Sequence, residues 1–517
     1  MTKGDHAPSH ALPGGRTTLD DLFRRAGVRH PDALALVDPP DRERIMSGPP
    51  RRMTYAETDR AVSAVAGRLQ RLGLPAGSVV SFQIPHTVES IITLLGILRA
   101  GFVAAPLPLL WRQADMTLAL RRIGARVLIC GGRESGSLAA DVGASVFPIR
   151  YVCGFGPDLP ESVIGLDNLL EWPLDNNDAP HASAEPAAPV AIITWDVTPD
   201  GLMPMARSQP ELIAAGLAVL LEARPPEDAV ILSTCPAGAL AGLALGPLLW
   251  LLTGGTLVLH HPFDARIFAQ QCLDEGCDTA ILPGPLVPAL REAGVLPQAG
   301  LRRLLALWRA PEHAAASAPW TGTDVALIDI LIFGETGLLA ARRGTDGYAA
   351  PVPLGPVTAP RGAAGAVLVA TTARTAQGTL ALGGPMVPQT NRLAGERTGG
   401  PRSEPDLQTD LEADLEAAGC ADTFHACRIE GDRLAITRPP PGIVAVGGYR
   451  FLLRDLQTRV QTAGSDTAIS VMPDEIGGDR LEGDTGNREA IQAALAQAGL
   501  NPLIIDAFRD QTGSSSA

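Results

Sequence analysis

The only lysine among the 517 residues is Lys3, in a stretch (MTKGDHAPSHALPGG) that has no apolar core. Chemistry that needs a compact ammonium on a flexible stem inside a fold is therefore unavailable, because arginine spreads its charge over a planar fork. A GC-rich genome would favour arginine codons, but the chemical consequence is the same. Seven cysteines stand at 130, 153, 235, 272, 277, 420 and 427. Neither Cys272/Cys277 nor Cys420/Cys427 has zinc-knuckle spacing and no histidine pair accompanies them, so they read as reduced cytosolic thiols. Thr423-Phe424-His425 carries a lone histidine, a residue more often structural than catalytic. Gly447-Gly448-Tyr449 permits a tight turn. The acidic repeat at Asp406, Asp410 and Asp414 reads as the solvated face of an exposed helix rather than a metal site.

The elements that would position these residues alternate. Thr54 and Glu57 form a capping box, and Val62, Val65, Leu69 and Leu72 follow at helical spacing up to Gly73. Val79–Phe82 reads as a buried strand, Val88–Arg99 as a helix stopped by Gly101, Phe102–Ala105 as a strand, Leu118–Ile123 as helical and Arg126–Ile129 as a strand. The same alternation returns at Glu211–Glu222, Ala229–Ser233, Gly255–Leu259, Arg266–Glu275 and Thr279–Leu282. It predicts an α/β protein, a large N-terminal domain of parallel sheets covered by helices. Short strands and turns from Pro351 to Val387 add a small β-rich subdomain, placed at about 351–437. A flexible tail (1–17) precedes the large domain (18–437), residues 388–405 form a loop or linker, and a small, truncated α+β domain (438–517) follows.

The hydrophobic share of 46%, charged share of 19% and net charge of −14 describe an ordinary globular chain. They argue against a nucleic-acid surface and against adhesion to anionic membranes. The apolar run Pro236–Leu259 is about long enough to cross a bilayer. Pro247 and Gly254-Gly255 instead divide it into a short buried helix and a strand, so no integral membrane segment is expected.

Three stretches in order, MTYAETDRAVSAVAGRLQRLGL from Met53, SVVSFQIPHTVESIITLLGILRAGFVAAPL from Ser78 and RRIGARVLI from Arg121, resemble the acyl-CoA synthetase, peptide-synthetase adenylation and luciferase superfamily. Further stations follow: Ser208 with Gln209, the Pro236–Leu259 block, ILPGP near 281, FGETG at 333 and VGGYRF at 446. The resemblance spans roughly residues 17 to 500. It implies activation of a carboxylic acid by ATP and magnesium as an acyl-adenylate, with transfer of the acyl group to CoA in many members.

Several of the stations such chemistry requires are altered. The loop that cradles the triphosphate aligns with residues 194–209, where Thr194, Thr198, Gly201, Pro204 and Ser208 fit the pattern. The lysine position falls on Met203 or Met205, and Asp196 and Asp200 would repel phosphates. The adenine turn aligns with Trp308-Arg309-Ala310-Pro311, obstructed unless Trp308 itself stacks on the base. The magnesium-assisting glutamate maps to Gly337 without gaps or to Glu335 with a two-residue deletion, inside Phe333-Gly334-Glu335-Thr336. At the ribose station Thr423 remains and His425 replaces the carboxylate, while the histidine common near the acyl pocket aligns with Ala239. Arg438 opens the hinge, which Pro439-Pro440-Pro441 stiffens. Gly447, Gly448 and Tyr449 match the residues near the pantetheine channel of CoA-forming relatives. No lysine follows them, and Arg509 is a weak substitute.

The sequence therefore predicts a cytoplasmic adenylate-forming scaffold with a degenerate ATP site, whose binding of ATP/Mg and CoA is reduced. It would act as an acyl- or CoA-binding or regulatory protein, with a protein partner as one possibility. The alternatives are an active divergent acid–CoA ligase for a hydrophobic acid, in which Arg207, Arg309, Arg438 and Arg450 face anions, and a structural partner in a biosynthetic complex.

Overall fold

The computed structural model describes residues 17–132, 135–167, 190–388, 419–474 and 477–509. The N-terminal tail up to residue 16, nearly all of the 388–405 stretch and the repeat at Asp406, Asp410 and Asp414 lie outside them.

Among the described residues four sheets form. A seven-stranded sheet runs in the order Ile164–Gly165, Tyr151–Phe155, Val127–Gly131, Val79–Gln83, Val103–Pro106, Ile192–Thr198 and Gly201–Arg207. All its pairings are parallel except the last, an antiparallel hairpin. An eight-stranded sheet centred on Val230–Ser233 is parallel inside and closes with an antiparallel pair at each edge. A six-stranded antiparallel sheet occupies Val352 to Arg438, and a four-stranded one Ile443 to Asp484.

One continuous core joins the two large sheets. It includes Val80, Val127 and Ile129 from the first, Ile231, Leu257 and Ile281 from the second, and Ile91 and Leu95 from the helix Val88–Arg99. That helix is buried at nearly every position, as a helix covered on all sides must be. It approaches Tyr55–Gln70 so closely that a Cβ on Gly96 would lie 2.7 Å from Val65 Cγ1. Leu128 and Cys130, the alternate residues of Val127–Gly131, face a second core with Trp111, Leu120 and Trp195. A third core, including Val444, Val460, Leu481, Leu495 and Phe508, belongs to the C-terminal unit.

The apolar block differs from expectation in one respect. Pro247 does not divide it: helix continues from Leu240–Leu243 through a wider π turn at Ala244–Leu248 into Leu249–Thr253. The widened turn accommodates a residue without an N–H donor, which an α-helical interior would not. Gly254, at φ +71°, ends the helix, and Thr256–Leu259 is the strand. Among the described residues no helix is long and apolar enough to cross a membrane.

Candidate functional site

The segment aligned with the triphosphate loop is a closed hairpin. Ile192–Thr198 pairs with Gly201–Arg207 in unbroken register from Ile192↔Arg207 to Thr198↔Gly201. Only Pro199 and Asp200 remain in the turn, with the Asp200 amide donating to Thr198 Oγ1 at 3.2 Å. The donors that a polyphosphate cradle must aim at one point are spread along a ladder, and the turn itself presents a carboxylate. Ser208 is the N-cap of Gln209–Ala223 in a capping box with Glu211, a role that fixes the helix start.

The functional face of the hairpin is filled by ion pairs. Arg207, 1% exposed, donates from Nη1 to Thr194 Oγ1 at 2.8 Å and lies 3.6 Å from Glu335 Oε2. Its Nε and Nη2 are buried with no hydrogen-bond partner among the described residues. Glu335 Oε2 also accepts the Leu240 amide at 2.9 Å. Burial pushes the Glu335 carboxyl above its ordinary range, and Arg207 partly offsets this. Asp196 Oδ2 accepts the Glu335 amide at 2.8 Å, and its Oδ1 accepts Arg450 Nη1 at 2.5 Å. Arg450 comes from the C-terminal unit, on strand Tyr449–Leu452.

Neighbouring stations converge on the same junction. Phe333 ends the strand Ala326–Phe333, and Gly334, Glu335 and Thr336 turn the chain into Gly337–Arg342. His425 packs edge-on against Phe333 at 5.3 Å between ring centroids, and its Nδ1 lies 2.9 Å from the Thr423 carbonyl. Burial, then the Arg450 cation, pushes the imidazole down to about 3, so it is neutral at physiological pH. Thr423 Oγ1 donates to the Leu380 carbonyl at 2.8 Å. Gly447 (φ +53°) and Gly448 (φ +86°) form the two-residue turn of a hairpin in which Val446 pairs with Tyr449. Two consecutive positive φ angles make glycine the natural choice there. A Cβ on Gly448 would lie 3.2 Å from Arg309 Nε. Tyr449 Oη accepts the Leu110 amide at 3.1 Å.

One expectation is corrected by this geometry. Trp308 is not available to stack on a base: its Nε1 donates to Asp329 Oδ1 at 2.8 Å, and its indole lies where a Cβ on Gly284 would be 2.5 Å away. Ala310 and Pro311 lead into the short helix Pro311–Ala316 instead. Of the four candidate arginines, Arg207 lies beside Glu335 and Arg450 bonds Asp196, Arg309 packs against the Gly448 turn, and Arg438 is exposed at the end of Arg433–Arg438.

The hairpin is closed by a two-residue turn, and Glu335 lies beside Arg207 and accepts a backbone amide, so neither presents an open cradle for a triphosphate or a free carboxylate for magnesium. Sequence reasoning missed a buried histidine group at the carboxyl ends of three strands. His86 Nε2 lies 3.2 Å from the Ser233 carbonyl, and burial followed by the neighbouring His261 pushes His86 down to about 3. Only the juxtaposition of three distant strand ends makes this group, so no local signal announced it.

The overall chain takes the fold of adenylate-forming enzymes. It superposes on the amide bond synthetase McbA from Marinactinospora thermotolerans with a TM-score of 0.67 and 17% identity, over 93% of this chain and 94% of that one. Residues 23–193 match the AMP-binding enzyme family. The chain is similar to long-chain fatty acid transport protein 1 of Bos taurus (31% identity over 30% of this chain and 23% of the relative). The medium-chain fatty-acid–CoA ligase of Escherichia coli is similar at 24% identity, over 30% of this chain and 25% of the ligase. The matches span about a quarter of the length of these curated relatives.

Proposed function

We propose that this chain is an adenylate-forming scaffold with a degenerate ATP site, acting as a cytoplasmic acyl- or CoA-binding or regulatory protein. The observation that carries this reading is the closed Ile192–Arg207 hairpin, whose Asp196 holds an arginine of the protein itself. Where the resemblance calls for a lysine, the strand Gly201–Arg207 carries Met203 and Met205. Losing one preorganised charge typically costs on the order of 10²-fold in rate or more, and here cradle and lysine are both missing.

A second reading rests on Arg207 and Arg450, which flank Glu335 and Asp196, with Arg309 against the neighbouring Gly448 turn. In it the chain is an active acid–CoA ligase in which arginines hold the anions. One assay separates the two. Purified protein is incubated with ATP, magnesium, CoA and a panel of carboxylic acids while pyrophosphate release is followed. The first reading predicts no acid-dependent release above background. Turnover on the order of 1 s⁻¹ with any acid would overturn it in favour of the ligase.

A further inference from the structure

Among the described residues, four hydrogen bonds tie the C-terminal unit to the large domain. Arg450 Nη1 donates to Asp196 Oδ1 at 2.5 Å. Arg459 Nη1 donates to Asp115 Oδ1 at 2.8 Å. The Leu110 amide donates to Tyr449 Oη and the Ala114 amide to the Gly499 carbonyl, both at 3.1 Å. Three of the four large-domain partners lie between Leu110 and Asp115, at the entry to the helix Gln113–Arg122. The fourth, Asp196, is on the hairpin.

Asp196 is the pivotal member. Its side chain is 8% exposed and that of Arg450 19%, so the pair is largely removed from solvent screening. The carboxylate is aimed by a second bond from the Glu335 amide. Tyr449 and Arg450 are adjacent, and they reach two separate segments of the large domain, Leu110 and Asp196. On the chain side of the grip, Pro439-Pro440-Pro441 restricts the connecting segment.

We propose that the Asp196–Arg450 pair is an internal lock that holds the C-terminal unit closed over the junction, with Tyr449–Leu110 and Arg459–Asp115 as its secondary catches. The lock rests on these contacts and not on the loss of adenylation. It would restrain the unit equally in a chain that turned ATP over. Opening it exposes Asp196, Arg450 and the edge of the Glu335 turn together.

The test uses amide hydrogen exchange on the full chain without nucleotide. The reporters are the Leu110 and Ala114 amides, which bond only to the C-terminal unit. Asp196→Asn keeps an oxygen for the Glu335 amide and removes the charge, and Arg450→Gln removes the partner. Each single variant is expected to speed exchange at both reporters by about tenfold, the size of a charge-assisted bond. The double variant is expected to add little beyond either single. The Ile231 and Leu232 amides in the central sheet report that each variant stays folded. Reporters exchanging at the unsubstituted rate in both single variants would overturn the lock. So would acceleration in Asp196→Asn alone, which would trace the effect to the hairpin.

Discussion

Arg207→Met is expected to cost about 3–5 kcal/mol of stability at pH 8, because it leaves a carboxylate buried without its cation. Arg207 Nη1 lies 3.6 Å from Glu335 Oε2 and bonds Thr194. Burial already pushes the Glu335 carboxyl up, with Asp196 adding to the rise and Arg207 opposing it. Without Arg207 the folded-state value rises further above that of the unfolded chain. A carboxyl shifted upward contributes stability that is present below its unfolded value and lost as pH rises through its folded one. The variant should therefore lose less at pH 5 than at pH 8, because lower pH favours the protonated Glu335 that the raised value allows. Urea midpoints at the two pH values measure the difference. The double variant Arg207→Met/Glu335→Gln should recover most of the loss, since no charge is then stranded. Equal losses at both pH values would show that Glu335 does not depend on Arg207.

Arg42→Met is expected to cost a similar amount, about 3–5 kcal/mol, in a part of the chain remote from the junction. Arg42 donates to Glu89 through both Nη1 and Nη2 at 2.7 Å and to Asp38 Oδ2 at 2.7 Å. Its side chain is 2% exposed, with Asp38 at 0% and Glu89 at 1%. Asp38 also accepts the Val88 amide, which anchors the start of the Val88–Arg99 helix against the strand Leu34–Val37. Burial and the Glu89 charge already push Asp38 up to about 6. Removing Arg42 leaves Asp38 and Glu89 facing each other with only the half-buried Arg51, 3.5 Å from Glu89, as a cation, so the variant should melt lower, and more so at pH 8 than at pH 5. Thermal unfolding at pH 5 and 8 tests this. A melting temperature unchanged from the parent at both values would mean the cluster is replaceable.

The two variants divide the molecule by what its sequence disclosed. The scaffold around Arg42 was legible because its signals are local. Val88–Arg99 has the bounds its apolar spacing and Gly101 give, and Thr54 and Glu57 cap Tyr55–Gln70 as their spacing indicates. The junction was only partly legible. The order Thr194, Thr198, Gly201, Pro204 matches a loop pattern. The same residues equally suit a two-residue turn, and only cross-strand pairing decides between them. Glu335 and Gly337 were interchangeable in one dimension, and the structure brings Glu335 to Arg207 through a turn between two strands. Trp308 looked like an obstacle or a stacking platform because nothing local reveals its bond to Asp329, 21 residues on. Asp196 read as a phosphate repellent. Its bond to Arg450 spans 254 residues, a distance at which sequence pattern carries no information.

Titrating the chain with Mg–ATP in a calorimeter tests the proposal that the closed Ile192–Arg207 hairpin does not hold a triphosphate. The account predicts no saturable heat up to about 1 mM nucleotide, the upper end of ordinary substrate constants. Saturable one-to-one binding below that concentration would contradict it.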